Sequence, residues 1–123
     1  MLLLHFMWAN SMNNYYKGLL AEKISILYLL FKGHKIIKTR YKTRLGEIDI
    51  ISRKNKEIHF IEVKSRKNQN AFLDVISRNQ QNRIKNAALL FLQKNKRFSC
   101  HNVTFDVVFI KYPLYFKYIY NSF

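Results

Sequence analysis

Apolar and polar positions alternate along the chain with two different periods, which separate helical from strand-like segments. From Tyr15 to Lys32 the apolar residues recur at helical spacing, and Gly33 supplies a natural stop. A second helix is predicted to begin at about Val75 or Ser77 and to extend to Lys94, because its apolar residues again repeat with a period of roughly 3.6. Both segments are long enough to pack one apolar face against a sheet.

Strand-like runs fill most of the remaining chain. Three of them, rich in Ile, Val and Phe, are Lys35–Tyr41, Glu47–Arg53 and Glu57–Lys64. Thr104–Ile110 is short and very apolar, as is typical of a buried strand, and Leu114–Tyr120 fits a last edge strand. The predicted order is therefore α-β-β-β-α-β(-β), an α/β protein with an α+β mixed sheet flanked by helices.

The charge balance indicates an anionic partner. The chain has 22 Lys plus Arg against 7 Asp plus Glu, a formal net charge of +15. Such a surface suits nucleic acid or a membrane and excludes an acidic substrate-mimicking or halophilic protein. Cys100 is the single cysteine, which excludes a disulfide scaffold and suits the cytoplasm.

The 123 residues fit one domain. The apolar start of the chain is too short to span a membrane and lacks the basic residues of a secretory signal. Met12 is an alternative start, so we expect residues 1–11 to be a disordered extension and residues 12–123 to form a single domain.

Glu47, Asp49 and Glu62 lie within two neighbouring strands that are otherwise rich in apolar residues, although the chain has only seven acids. If Asn55-Lys56 is a tight turn, the paired numbers of the two strands sum to 111. Asp49 then lies opposite Glu62, and Glu47 lies opposite Lys64, all on one face. Opposed Cβ atoms lie about 4.5–5.5 Å apart, so the two carboxylates repel each other unless a positive group lies between them. Lys64 or, better, Mg²⁺ or Mn²⁺ could be that group. A one-residue slip would remove the pair, and acids on an open sheet face are the structural alternative.

The residues around these acids resemble a known family. Gly46-Glu47-Ile48-Asp49-Ile50-Ile51 and Phe60-Ile61-Glu62-Val63-Lys64-Ser65-Arg66 are similar to the GEIDLI and FVEVKxR motifs of the YraN family, uncharacterised protein family UPF0102. Gly18 and Glu22 match its GxxxE opening, Phe105-Asp106-Val107-Val108 its RFDVV strand and Asn121-Ser122-Phe123 its NAF ending. Gln80-Gln81 departs from the family, which favours Lys-Gln there.

This resemblance implies a restriction endonuclease-like fold of the PD-(D/E)xK type, close to Holliday junction resolvases, and metal-dependent hydrolysis of DNA phosphodiesters. Asp49, Glu62 and Glu22 would hold Mg²⁺ or Mn²⁺, and Lys64 would complete the catalytic set by orienting water or stabilising the phosphorane. Glu47, as a partner of Lys64, and Gln81 are auxiliary candidates. Branched or flapped DNA is the expected substrate, and a homodimer is implied by analogy with the resolvases.

Basic residues beside the acids would bind the phosphate backbone without reading sequence. Alternation places Lys38, Arg40, Lys42 and Arg44 on one face of an extended segment. The remaining nucleic-acid-binding candidates are Arg66, Lys67 and Arg83. The C-terminal aromatic residues could stack on bases, although packing of an edge strand on the core is the commoner role for such a stripe.

Two other classes compete with the nuclease. A non-catalytic nucleic-acid-binding protein that keeps the fold is the main alternative, although intact Asp49, Glu62 and Lys64 argue against it. A peripheral membrane protein would use its charge and the N-terminal apolar cluster, but it leaves the acids within the strands unexplained. We therefore expect no membrane partner.

Overall fold

Two helices lie on opposite faces of one sheet in the computed structural model, which describes residues 14–66, 76–111 and 115–123. Helix α1 spans Asn14–Phe31 and helix α2 spans Arg78–Lys94. Gly33, with a φ of 91°, ends the first helix, and its N–H donates to the Leu30 carbonyl. Ser77 caps the second, because its side chain accepts from the Gln80 N–H at 3.1 Å. No described helix is long and apolar enough to cross a membrane.

The sheet has five strands in the order in which they follow one another along the chain. They are β1 (Lys35–Lys42), β2 (Glu47–Lys54), β3 (Glu57–Arg66), β4 (Asn102–Lys111) and β5 (Tyr115–Ile119). Strands β3 and β4 are parallel and the other neighbours are antiparallel, so the sheet is mixed. A short 3-10 helix, Lys96–Phe98, precedes β4. The predicted order of elements and the mixed α+β class are confirmed.

Each face of the sheet has its own apolar core. Ile51 and Phe60 pack against Ala87 and Phe91 of α2. The adjacent residues in each strand point the other way, so that Ile50 and Ile61 pack against α1. Side chains of successive strand residues alternate between faces, which explains how these near-continuous apolar runs serve two cores.

The β2–β3 hairpin has the register that the sequence predicts. Lys54 pairs with Glu57 and Ile51 with Phe60, and Asn55 adopts the left-handed conformation of a tight turn at a φ of 54°. This pairing ends at Ile50 and Ile61. The predicted opposition of Glu47 and Lys64 lies beyond that end, and Glu47 is instead an exposed residue paired with Lys42 of β1.

Gly46 places β2 against α2. A Cβ built on Gly46 would lie 2.4 Å from the Arg83 carbonyl oxygen, which is closer than real Cβ atoms come. The turn before it is held by Thr43, whose hydroxyl donates to the Gly46 carbonyl at 2.8 Å. Only glycine allows this approach, so the start of the acid-bearing strand is fixed relative to α2.

The predicted row of four cations does not hold across all four residues. Arg44 lies in the turn after β1, and Arg40 has a φ of 52°, which interrupts the extended backbone. The β1 register also shifts between Ile36 and Lys38. Lys67 and the predicted N-terminal extension lie outside the described residues, and the single-domain assignment stays a prediction.

Candidate functional site

The site forms where the β2–β3 pairing stops. Beyond Ile50 the Asp49 side chain replaces a backbone carbonyl as hydrogen-bond acceptor, because its Oδ2 accepts from the Val63 N–H at 2.8 Å. This bond holds the carboxylate at the splayed end of the hairpin. Gly46, in contact with α2, fixes the start of the same strand.

A cavity of about 630 Å³ opens at this end of the hairpin. Helix α1 contributes one wall and strands β2 and β3 the other. The residues on which the chemistry depends are Lys17, Gly18, Glu22, Asp49, Glu62 and Lys64. Gly18 and Glu22 are four positions apart, so they share a face of the helix. Three acids and two lysines from three elements therefore meet around one space.

Glu62 is the buried acid of the cavity. Its residue is only 8% exposed, and burial together with the adjacent Asp49 raises the pKa of its carboxyl to about 9, against an opposing effect of Lys64. Its Oε2 accepts from Gln80 Nε2 at 2.9 Å, and its raised pKa favours the protonated carboxyl near neutral pH. Asp49 and Glu62 both line the cavity, although the backbone pairing ends before their predicted opposition.

Glu22 approaches the same pair from α1. Its pKa is raised by burial and by the Asp49 charge, whereas Arg40 lowers it. The Arg40 Nε lies 3.5 Å from Glu22 Oε2. The Arg40 guanidinium therefore balances part of the negative charge of the cavity. This role differs from the predicted one, in which Arg40 belongs to a row of phosphate-binding cations.

The donor set fits a divalent cation in part. Among the described residues, no three His, Cys, Asp or Glu side chains are grouped closely enough to hold a metal ion. Asp49 and Glu62 nevertheless line the same cavity, and carboxylate oxygens are the hard ligands that Mg²⁺ and Mn²⁺ prefer. Asp49 and Glu62 are therefore a candidate two-carboxylate metal site. Glu22 lines the same cavity beside them.

Of the other predicted residues that the structure describes, Arg66 lines the cavity, whereas Glu47, Gln81 and Arg83 do not. Glu47 is exposed and does not line the cavity, and Arg83 is exposed on α2. Arg66, also exposed, lines the cavity at the end of β3. Gln81 Nε2 donates to the Ile76 carbonyl at 3.2 Å, which ties it to the start of α2.

Two residues of the site were not selected from the sequence. Gln80, which contacts Glu62, belongs to the Gln80-Gln81 pair that departs from the family motif, so that departure was the available signal. Lys17 is 9% exposed and lines the cavity beside Gly18. Its signal was the helical spacing to Ala21, four positions later, which also lines the cavity.

The fold and the site define a class: an α+β protein with a mixed sheet that carries two carboxylates and a lysine around one cavity at the open end of its central hairpin. The chain belongs to uncharacterised protein family UPF0102, whose sequence profile matches residues 21–110. This match confirms the resemblance drawn from the sequence motifs.

Relatives from several bacteria have the same family name. A UPF0102 protein of Agrobacterium fabrum is 42% identical over 92 residues, which cover 75% of each chain. One of Bartonella tribocorum is 36% identical over 97 residues, or 79% of this chain and 75% of the relative. One of Nitrobacter winogradskyi is 35% identical over 96 residues, or 78% and 81% of the two chains.

Proposed function

We propose that this protein is a metal-dependent endonuclease that hydrolyses DNA phosphodiester bonds, with branched or flapped DNA as its substrate. One observation carries the proposal: Asp49, Glu62 and Lys64 line one cavity, in which Glu62 is buried. Two acids placed around one space are costly for a structural role, because their carboxylates repel each other once both are ionised.

In the proposed enzyme, Asp49, Glu62, Lys64 and Glu22 of the cavity have separate roles. Mg²⁺ or Mn²⁺ held by Asp49 and Glu62 would polarise the scissile phosphate and lower the pKa of the attacking water. Lys64 stabilises the charge that develops on the phosphoryl oxygens, since its ammonium already acts on Glu62. Glu22 accepts a proton or a hydrogen bond from water in the cavity, and Gln80 orients Glu62.

The surface charge supports nucleic acid as the substrate class. With a net charge of +15 in 123 residues, the basic side chains repel one another in the folded protein, and a bound polyanion would reduce that repulsion. Arg66, at the mouth of the cavity, and Lys42 and Arg44, on the exposed side of the β1–β2 turn, are positioned to contact phosphates.

The test is a cleavage assay on labelled linear, flapped and four-way-junction DNA in Mg²⁺, Mn²⁺ or EDTA. We expect cutting only with a metal ion, and a fall of at least 100-fold in Asp49→Asn and in Lys64→Met, because each removes a charge from the reacting centre. Lys94→Met is the matched control, since it removes the same charge from the exposed end of α2.

A second readout separates metal binding from activity. Mg²⁺ or Mn²⁺ should raise the melting temperature of the wild type but not of Asp49→Asn, because binding to the folded state alone stabilises it. DNA binding without cutting in either metal, unchanged in Asp49→Asn and Lys64→Met, would contradict the enzyme. The protein would then be a nucleic-acid-binding relative that keeps the fold.

A further inference from the structure

A second cavity, of about 480 Å³, lies at the opposite end of β3 from the carboxylate pair. Helix α1 ends at Phe31 and leaves this part of the sheet uncovered. Four rings line the cavity, those of His34, His59, Tyr118 and Tyr120, together with the side chains of Glu57 and Asn102. Along β3, His59 of this cavity and Glu62 of the first cavity are three positions apart, roughly 10 Å.

A buried network fixes the histidine of this cavity. Asp106 is fully buried, and its Oδ2 accepts from His59 Nδ1 at 2.7 Å and from the Tyr118 hydroxyl. Its Oδ1 accepts from the Asn121 N–H at 2.9 Å. These hydrogen bonds hold the pKa of Asp106 below its usual value despite burial, so the carboxylate stays ionised and orients the His59 ring.

The other ring nitrogen of His59 has no hydrogen-bond partner. His59 is 4% exposed, and its Nε2 is one of two buried side-chain nitrogen or oxygen atoms without one among the residues that the structure describes. Glu57 Oε1 lies 3.2 Å from it, but without the geometry of a hydrogen bond. A buried polar atom without a hydrogen bond is destabilising, so a hydrogen-bonding group of a ligand would be stabilising here.

The chemistry of the walls selects one kind of ligand. His34 and His59 stand 4.7 Å apart between ring centroids, and Tyr120 lies 6.0 Å from His59, so flat rings surround the space. Burial and the neighbouring His59 lower the pKa of His34 to about 4, which leaves its ring neutral near pH 7. Lys54 and Lys56, both exposed, stand at the rim and favour an anionic group.

We propose that this second cavity binds an unpaired nucleotide. The rings stack on the base, Glu57 and His59 hydrogen-bond its edge, and the rim lysines attract its phosphate. The same lysines disfavour a metal cation. This site stands independently of the proposed nuclease, because it shares no residue with the first cavity.

The test is a titration of the full chain with the four nucleoside 5′-monophosphates, followed by amide chemical shifts. Ribose 5-phosphate and inorganic phosphate are the probes that lack a base. We expect at least one mononucleotide to bind tenfold or more tightly than ribose 5-phosphate, with shifts centred on Glu57, Asn102 and Tyr120. Equal binding of ribose 5-phosphate, no binding, or shifts centred on Glu62 and Lys64 would each overturn the proposal.

Two variants test the walls. Tyr120→Leu removes an exposed ring that stacks, and should weaken the mononucleotide at least fivefold, whereas Tyr15→Leu removes an equally exposed tyrosine from α1 and should not (the two are 55% and 61% exposed). Glu57→Gln should change which base binds best, because a carboxylate only accepts and an amide also donates. Unchanged affinity in Tyr120→Leu would also overturn the site.

Discussion

Glu62 is the residue whose protonation controls the first cavity. In the folded protein its pKa is about 9, against an ordinary value of 4.5, because it is buried beside Asp49. Near neutral pH the Glu62 carboxyl is therefore mostly protonated. A divalent cation that replaces this proton must release it, so binding of the cation should strengthen as pH rises.

The raised pKa of Glu62 makes stability depend on pH. Between about pH 4.5 and 9 the folded state keeps a proton that the unfolded chain has lost, so the free energy of unfolding falls as pH rises. The slope of this single group is at most about 1.4 kcal/mol per pH unit, and it vanishes below and above that window. Glu62→Gln cannot titrate, so in urea unfolding at pH 5 to 8 it should lose less stability than the wild type. If the free energy of unfolding of the two proteins changed in parallel with pH, the raised pKa of Glu62 would be contradicted.

Gln80 and Gln81 are neighbours with different partners, which gives a matched pair of variants. Gln80→Ala should slow cleavage about tenfold and shift the pH profile, because Glu62 loses the amide that orients it. Gln81→Ala should have the smaller effect, since its amide contacts the Ile76 carbonyl. Rates measured from pH 6 to 9 decide the matter, and an equal or larger loss in Gln81→Ala would contradict the assignment.

The sequence predicted the acids of the site better than their contacts. Asp49 and Glu62 could be placed together because a two-residue turn fixes the strand register, and alternation then fixes which side chains meet. The choice between Gln80 and Gln81 depends on the rotation of α2 about its axis, which packing against the sheet decides. Local periodicity does not carry that information.

At the scale of elements, the relation between β2 and α2 is set by a backbone contact at Gly46. The helices, the five strands and their order were predictable from hydrophobic period. The register shift in β1 and the left-handed Arg40 were not, because both depart from the regular alternation on which the prediction of a cation row rests.

Two glycines should respond to alanine in opposite directions. Gly46→Ala brings a Cβ within 2.4 Å of the Arg83 carbonyl and should lower the free energy of unfolding by about 1–3 kcal/mol. Gly18→Ala meets no atom within 4 Å and lies in a helix, so it should raise stability by up to about 1 kcal/mol. Urea unfolding measures both. A neutral Gly46→Ala would show that α2 moves aside easily.

At the scale of the whole molecule, positive charge surrounds a cavity lined with acids. The few acids are concentrated in the two cavities and in buried pairs such as His59 with Asp106, whereas most of the cations are exposed. The exposed cations therefore attract a polyanion to the surface as a whole, whereas the carboxylates act only within the cavities.

Affinity for DNA should therefore fall steeply with salt. The plot of log affinity against log salt concentration has a slope of roughly −0.9 for each phosphate neutralised, and Arg66→Ala should make it shallower by about that amount. The fluorescence anisotropy of a labelled duplex, titrated with the protein at roughly 50 to 300 mM salt, measures this affinity. Lys94→Ala is the comparison at the far end of α2. A slope near zero would exclude backbone binding.

The parallel pairing of β3 with β4 has a consequence for folding kinetics. It joins Glu57 to Asn102 and Arg66 to Lys111, residues that are always 45 positions apart in the chain. The β1–β2–β3 meander can form from local contacts, but the central strand gains its second neighbour only after a long loop closes. Until that closure β3 is an edge strand, and we expect Glu62 to be open to water with a carboxyl pKa near its ordinary value of 4.5. We therefore expect Glu62 to gain its raised pKa only when β4 pairs with β3 and its burial is completed.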